Sequence, residues 1–132
     1  MIAGLLSRRG ASGAILALAE HGFIEAVLPL AAVEEIRRNL AGLAPAALPA
    51  FEDFLGLPGF TIHAPVPEDV ARARELAHAK DVAVMASAIG SGTGVLVTHN
   101  VKHFRSGAGV TVRRPRDYVA QLREILGGLG AR

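Results

Sequence analysis

The feature that most constrains this chain is a helix–glycine–strand succession between Lys80 and Phe104. Asp81 opens a helical pattern in which Val82, Met85 and Ile89 stand at i, i+3 and i+7. The run Gly90-Ser91-Gly92-Thr93-Gly94 stops it. Val95-Leu96-Val97 is then an apolar run suited to a short buried strand, and polar Thr98-His99-Asn100 follows at its carboxyl end. Ligands of open α/β sheets bind just outside the carboxyl ends of strands. The stretch therefore predicts an acid at a helix start and a polar triplet at a strand end. The glycines do not make a dinucleotide loop, which needs a strand before them and a helix after. Here the order is reversed, so they read as a helix stop and a turn.

The remaining chain repeats this alternation. Ser12 is positioned to cap a helix running to Glu20, with Gly22 as its stop. Phe23 to Leu28 reads as a strand broken by Pro29. From Leu30 to Leu43, the residues Val33, Ile36, Leu40 and Leu43 share one helical face. Pro45 to Leu55 is predicted helical, with Pro49 near its first turn. Phe60 to His63 is a short strand, Glu68 to Ala79 a helix with acids in its first turn, Val110 to Val112 a last strand, and Arg116 to Leu126 a last helix. No repeat, low-complexity tract or linker divides residues 1–132. Strands alternating with helices predict one α/β domain, a three-layer α/β/α sandwich around a mainly parallel central sheet.

Composition narrows the chemistry. No apolar run approaches the length of a membrane span. Arg8-Arg9 follows the apolar patch near Met1, the reverse of a secretory signal. With no cysteine there is neither a disulfide framework nor a thiolate metal site, which permits a cytoplasmic protein. Net charge is only +2, yet His99 to Arg116 contains five basic residues and no acid: Lys102, Arg105, Arg113, Arg114 and Arg116. Such a segment suits phosphate contacts; a solvated loop has the same composition.

Four residues carry the candidate chemistry. Glu34 and Glu35 both lie off the apolar helix face, and periodicity does not choose between them. Glu34 has Arg38 at i+4 as a surface partner, whereas Glu35 has Asn39 there and is freer to face a site. Asp81 is a favoured N-cap type, or a carboxylate ligand for a hard cation. Asn100 serves either as a turn residue or as an uncharged oxygen donor beside a metal, with Thr98 in support. His99 and His103 have the i, i+4 spacing that binds zinc on a helix, but no third ligand is near them in sequence, so a place beside phosphate is the favoured reading.

Asp81, the Val95–Val97 strand, Thr98, Asn100 and Phe104 together resemble the C-terminal half of a PIN domain, a family of metal-dependent ribonucleases. Its members carry an Asp at the start of this helix, then a glycine turn, an apolar strand, Thr-x-Asp or Thr-x-Asn, and a Phe. The resemblance extends to Leu5–Gly10 as the family's first loop and to Phe23–Ile36 as its second strand and acid-bearing helix, where it selects Glu35. It implies a PIN-like ribonuclease of the kind found as the toxin in bacterial toxin–antitoxin pairs, hydrolysing RNA phosphodiester bonds with Mg²⁺ or Mn²⁺. By resemblance Glu35 and Asp81 are the metal ligands, meeting at the carboxyl edge of the sheet beside Asn100 and Thr98. The five basic residues hold RNA backbone. Partners would be RNA, a cognate antitoxin protein and a second copy in a homodimer. PIN domains begin with an apolar strand ending in a metal-binding Asp, followed by a segment like Ile2 to Leu6. By resemblance that strand would precede Met1. The expectation is therefore a chain lacking its N-terminal strand, with a gap in the sheet and little or no nuclease activity. The alternative is a catalytically dead PIN-like domain that binds RNA or a protein. A nucleotide-binding α/β module stands third, against the glycine order.

Overall fold

The computed structural model describes residues 10–130. Leu5 to Arg9, and with them most of the expected first loop, lie outside the described residues, as does the side chain of Ser12. The elements are α1 (Gly10–Glu20), β1 (Ala26–Pro29), α2 (Leu30–Leu43), α3 (Leu48–Leu55), β2 (Phe60–His63), α4 (Pro67–Ala73), α5 (Val82–Ser91), β3 (Val95–Val97), β4 (Thr111–Arg113) and α6 (Pro115–Gly130). The chain is thus mixed α/β with short strands, and every strand pair in the sheets is parallel.

The strands do not join into one sheet. β1 pairs with β2 from Ala26↔Phe60 to Pro29↔His63, and β3 pairs with β4 from Val95↔Thr111 to Val97↔Arg113. Between these two-stranded sheets no ladder is formed among the described residues. Two apolar cores match the two sheets. The first gathers Leu16, Ala19, Leu28, Val33, Ile36, Phe51, Phe54 and Phe60. The second gathers Ala73, Met85, Ala86, Ala88, Leu96, Phe104 and Val110. Helix α5 belongs to the second core, packing on α4 and β3, and also touches β1 and α2 of the first half. Its buried Ser87 hydroxyl donates to the His63 carbonyl at the end of β2 (3.2 Å). On the other side α1 packs against α6.

Several boundaries depart from the sequence reading, each for a local reason. α1 begins at Gly10, so Ser12 falls inside the helix rather than at its cap. β1 starts only at Ala26 and includes Pro29; Phe23 lies outside it and is 77% exposed. Pro29 ends the strand, in register with His63, and its extended conformation (φ −62°, ψ 134°) then serves as the N-cap of α2. Pro45 to Leu55 is not one helix: a 3₁₀ turn, Pro45–Ala47, precedes α3, and Pro49 sits in the first turn, where its missing N–H costs nothing. β4 and α6 begin one residue later and one earlier than expected.

The largest difference is α4, which ends at Ala73 although the sequence pattern runs to Ala79. Here long-range pairing replaces helical hydrogen bonds. Ala77 forms an antiparallel bridge with Phe104, the His78 N–H donates to the His103 carbonyl (2.9 Å), and the Arg105 N–H donates to the Leu76 carbonyl (2.7 Å). A 3₁₀ turn, Ala79–Asp81, then leads into α5, which stops at Gly92 in the left-handed region (φ 69°).

Candidate functional site

A slot of about 370 Å³ opens between the two sheets. Val27 of β1 lines one side, Val95 and Val97 of β3 the other, and Ile15, Leu16 and Val84 complete an apolar wall. Polar groups gather at the carboxyl end of β3: Asp81, Thr98, His99 and Asn100 all line the same slot. The glycine-terminated α5 followed directly by β3 brings the helix start and the strand end together, as the spacing predicts.

The local hydrogen bonds fix this end. The Asn100 N–H donates to Thr98 Oγ1 (3.1 Å), so the threonine hydroxyl stabilises the turn that presents Asn100. The Thr98 N–H donates to the Arg113 carbonyl (2.9 Å), continuing the β3–β4 pairing one residue further. The Asn100 carbonyl accepts from the His103 N–H (2.9 Å) within the turn Val101–His103.

Asp81 stands at the N-cap position of α5, yet its side chain makes no capping hydrogen bond. Its carboxylate instead meets His103, with Oδ2 3.0 Å from Nδ1. The helix-cap explanation for this aspartate is thereby replaced by a long-range contact. Asp81 and His103 are both half-buried. The His103 ring stacks on that of His78, with centroids 4.6 Å apart and planes 19° from parallel. Donor atoms of His78, Asp81 and His103 all lie within 4.8 Å of one another.

Glu35 occupies an exposed position on α2 between exposed Glu34 and buried Ile36. Ala32, one turn earlier, lines the slot, and Glu35 is not among the lining residues. The ion pair formed by this helix joins neither glutamate to Arg38: it runs from Arg37 Nε to Glu52 Oε1 of α3 at 2.6 Å, with a second bond from Nη2 to Oε2 at 2.9 Å. The forked contact holds the Glu52 carboxyl below its usual range and raises Arg37 further.

The basic residues fall into two groups. Arg113, Arg114 and Arg116 are exposed where β4 passes into α6, beside the Thr98 backbone. Lys102 is exposed on the turn after Asn100, and Arg105 is exposed and donates from Nη2 to the Glu75 carbonyl (3.1 Å). His99 and His103 do not share a helix: His103 lies in the 3₁₀ turn and His99 before it.

His78 is the residue that sequence reasoning overlooked. The sequence pattern places it in the last turn of a helix running to Ala79, and only the early end of α4 frees it to meet His103. No signal in the sequence marks that end, because no glycine or proline lies between Pro67 and Gly90. No known protein family, curated protein or solved structure matches the chain. No helix among the described residues is long and apolar enough to cross a membrane.

Proposed function

We propose that this chain is a PIN-like, metal-dependent ribonuclease, acting as the toxin of a toxin–antitoxin pair and hydrolysing RNA phosphodiester bonds. The observation that carries this reading is the convergence of Asp81, Thr98 and Asn100 at one end of the slot, at the carboxyl end of β3. In the same reading the two sheets are parts of one layer in a three-layer sandwich, ordered β2-β1-slot-β3-β4. The partners are RNA and a cognate antitoxin protein.

The donor set suits a hard cation in its chemistry. Mg²⁺ is commonly held by one or two carboxylates together with substrate phosphates, and Asp81 and Asn100, which carry oxygen donors, line the same slot. Glu35 is the second carboxylate that the resemblance implies; it stands exposed on α2 and does not line the slot, so Asp81 is the one acid of that pair at the site. Bound there, Mg²⁺ or Mn²⁺ supplies Lewis-acid chemistry, offsetting phosphate charge and activating water for in-line attack. Thr98 fixes the turn that aims Asn100, and the exposed guanidinium groups of Arg113, Arg114 and Arg116, with Lys102 and Arg105, hold the RNA backbone.

A second reading, a catalytically dead domain on the same scaffold that binds RNA or a protein, is favoured by Glu35 lying off the slot. One experiment separates the two. Cleavage of a labelled RNA is measured with Mg²⁺ or Mn²⁺, and RNA binding is followed against salt. The nuclease reading expects metal-dependent cleavage that Asp81→Asn lowers at least about 100-fold while binding persists. Replacing Arg113, Arg114 and Arg116 with Ala reduces the slope of log K against log salt by about 2, since each phosphate contact on a single strand contributes ~0.7. Binding without cleavage establishes the second reading, and an unchanged slope removes the three arginines from the RNA surface.

A further inference from the structure

We propose that His78, Asp81 and His103 form a binding site for a transition-metal dication of the zinc class. It goes beyond the proposed nuclease chemistry, which needs an oxygen-liganded hard cation, and it stands on different residues apart from Asp81.

The site is built by backbone pairing. Residues Leu76–His78 lie against His103–Arg105, joined by the Ala77↔Phe104 bridge and the hydrogen bonds His78 N–H to His103 carbonyl and Arg105 N–H to Leu76 carbonyl. This places the two imidazoles next to each other at a fixed spacing. Asp81 is tied to the same frame, because its N–H donates to the His78 carbonyl at 2.8 Å. Three side chains thus converge from two segments far apart in sequence, on a short 3₁₀ turn and a paired strand-like segment.

The spacings fit a small tetrahedral ion. Zinc bonds of ~2.0–2.1 Å to nitrogen and oxygen set neighbouring donor atoms about 3.3 Å apart. His103 Nδ1 and Asp81 Oδ2 are already 3.0 Å apart. All three donor atoms fall within 4.8 Å of one another, and His78, the exposed member, is the ligand whose side chain has room to adjust. The ligand types choose the metal. Imidazole suits Zn, Cu, Fe and Ni, whereas all-oxygen sites suit Mg, Ca and Mn. Two histidines and one carboxylate leave a fourth position for water or an anion, as in open rather than closed zinc sites.

The test is titration of the full chain, freed of metal, with Zn²⁺ by calorimetry and with Co²⁺ by visible absorption. The expected result is one equivalent of Zn²⁺ bound reversibly to EDTA, tetrahedral Co²⁺ absorption, and a Zn²⁺-dependent rise in Tm. His78→Ala deletes an exposed ligand and leaves the His103–Asp81 contact in place. It should weaken Zn²⁺ at least about tenfold and change the Co²⁺ spectrum, with circular dichroism unaltered. His21→Ala, outside the cluster, should change neither. Absence of Zn²⁺ binding, or equal affinity and spectrum in the His78→Ala chain, overturns the site. RNA cleavage is scored separately: Zn²⁺ binding without cleavage leaves the site standing and removes the nuclease, whereas Mg²⁺-dependent cleavage by a chain that ignores Zn²⁺ does the reverse.

Discussion

The half of the molecule around β1 and β2 fills its core with rings, whereas the half around β3 and β4 fills its own largely with methyl groups. Phe51, Phe54 and Phe60 are all buried in the first, and the Phe54 and Phe60 rings meet at 4.3 Å in a tilted arrangement. The second has one phenylalanine, Phe104, beside Ala73, Ala86 and Ala88. Large side chains of α3, Phe51 and Phe54, pack by shape with Phe60 of β2. Small ones bring α4 and α5 close together, so that backbone approach does the packing. The polar end of the slot belongs chiefly to this second half, where short side chains leave helix start and strand end near one another.

Two pairs of substitutions sharpen the contrast. In the first half, deleting volume should do the most damage: Phe60→Ala is expected to cost about 3–5 kcal/mol, read from urea unfolding. In the second half, added volume is the harmful change, and Ala86→Leu should cost about 1–3 kcal/mol, since its side chain is fully enclosed. If Ala86→Leu is neutral, the close helix approach is not what holds that half. The glycines make a second comparison. A Cβ on Gly59 would lie 1.8 Å from the Ala19 carbonyl oxygen, which is backbone, so Gly59→Ala should cost about 1–3 kcal/mol. A Cβ on Gly90 would meet side-chain atoms instead, Asp69 Oδ2 at 2.5 Å and His63 Cε1 at 3.1 Å, and the helix gains up to about 1 kcal/mol in propensity. Gly90→Ala should therefore cost less than Gly59→Ala.

The smallest expected effect is electrostatic and lies in the first half. Arg37 holds the Glu52 carboxyl below its usual value by a forked hydrogen bond. A depressed acid adds stability above its unfolded pKa and loses it as pH falls through the folded one. A slight loss of stability is thus expected below the ordinary carboxylate range, screened by salt because both groups are exposed. Glu52→Gln should remove that part of the acid dependence in thermal melts; an unaltered pH profile would show that the pair contributes nothing.

Much of the fold was legible because the elements involved carry strong local signals. The bounds of α2, β2 and β3 match the sequence reading: α2 has a clear apolar face, β3 is an apolar run after Gly94, and β2 is a short segment fenced by Gly59 and Pro65. The placing of Asp81 and Asn100 along one slot follows from the order helix, glycine, strand; Glu35, expected to meet them, does not line it. The early end of α4 was not legible, since pairing of Leu76–His78 with a segment beyond β3 is a tertiary choice that no neighbouring residue announces. The histidine pair was missed for the same reason. Strand count foretold a parallel arrangement but not its division into two ladders, because which strands become neighbours is not written in any one of them.

Helix α5 builds the second core and also packs on β1 and α2 of the first half, and this has a consequence for how the molecule comes apart. Two clusters with separate sheets and no shared element would melt one after the other. A shared helix couples them: once it leaves, Met85 and Ala88 are stripped from one cluster, and β1 and β2 lose the helix packed on them, including the Ser87 contact. Neither half has a free-standing alternative for that surface, so loss of order in one lowers the barrier to loss in the other. Cooperativity here resides in one ten-residue segment rather than in a continuous sheet.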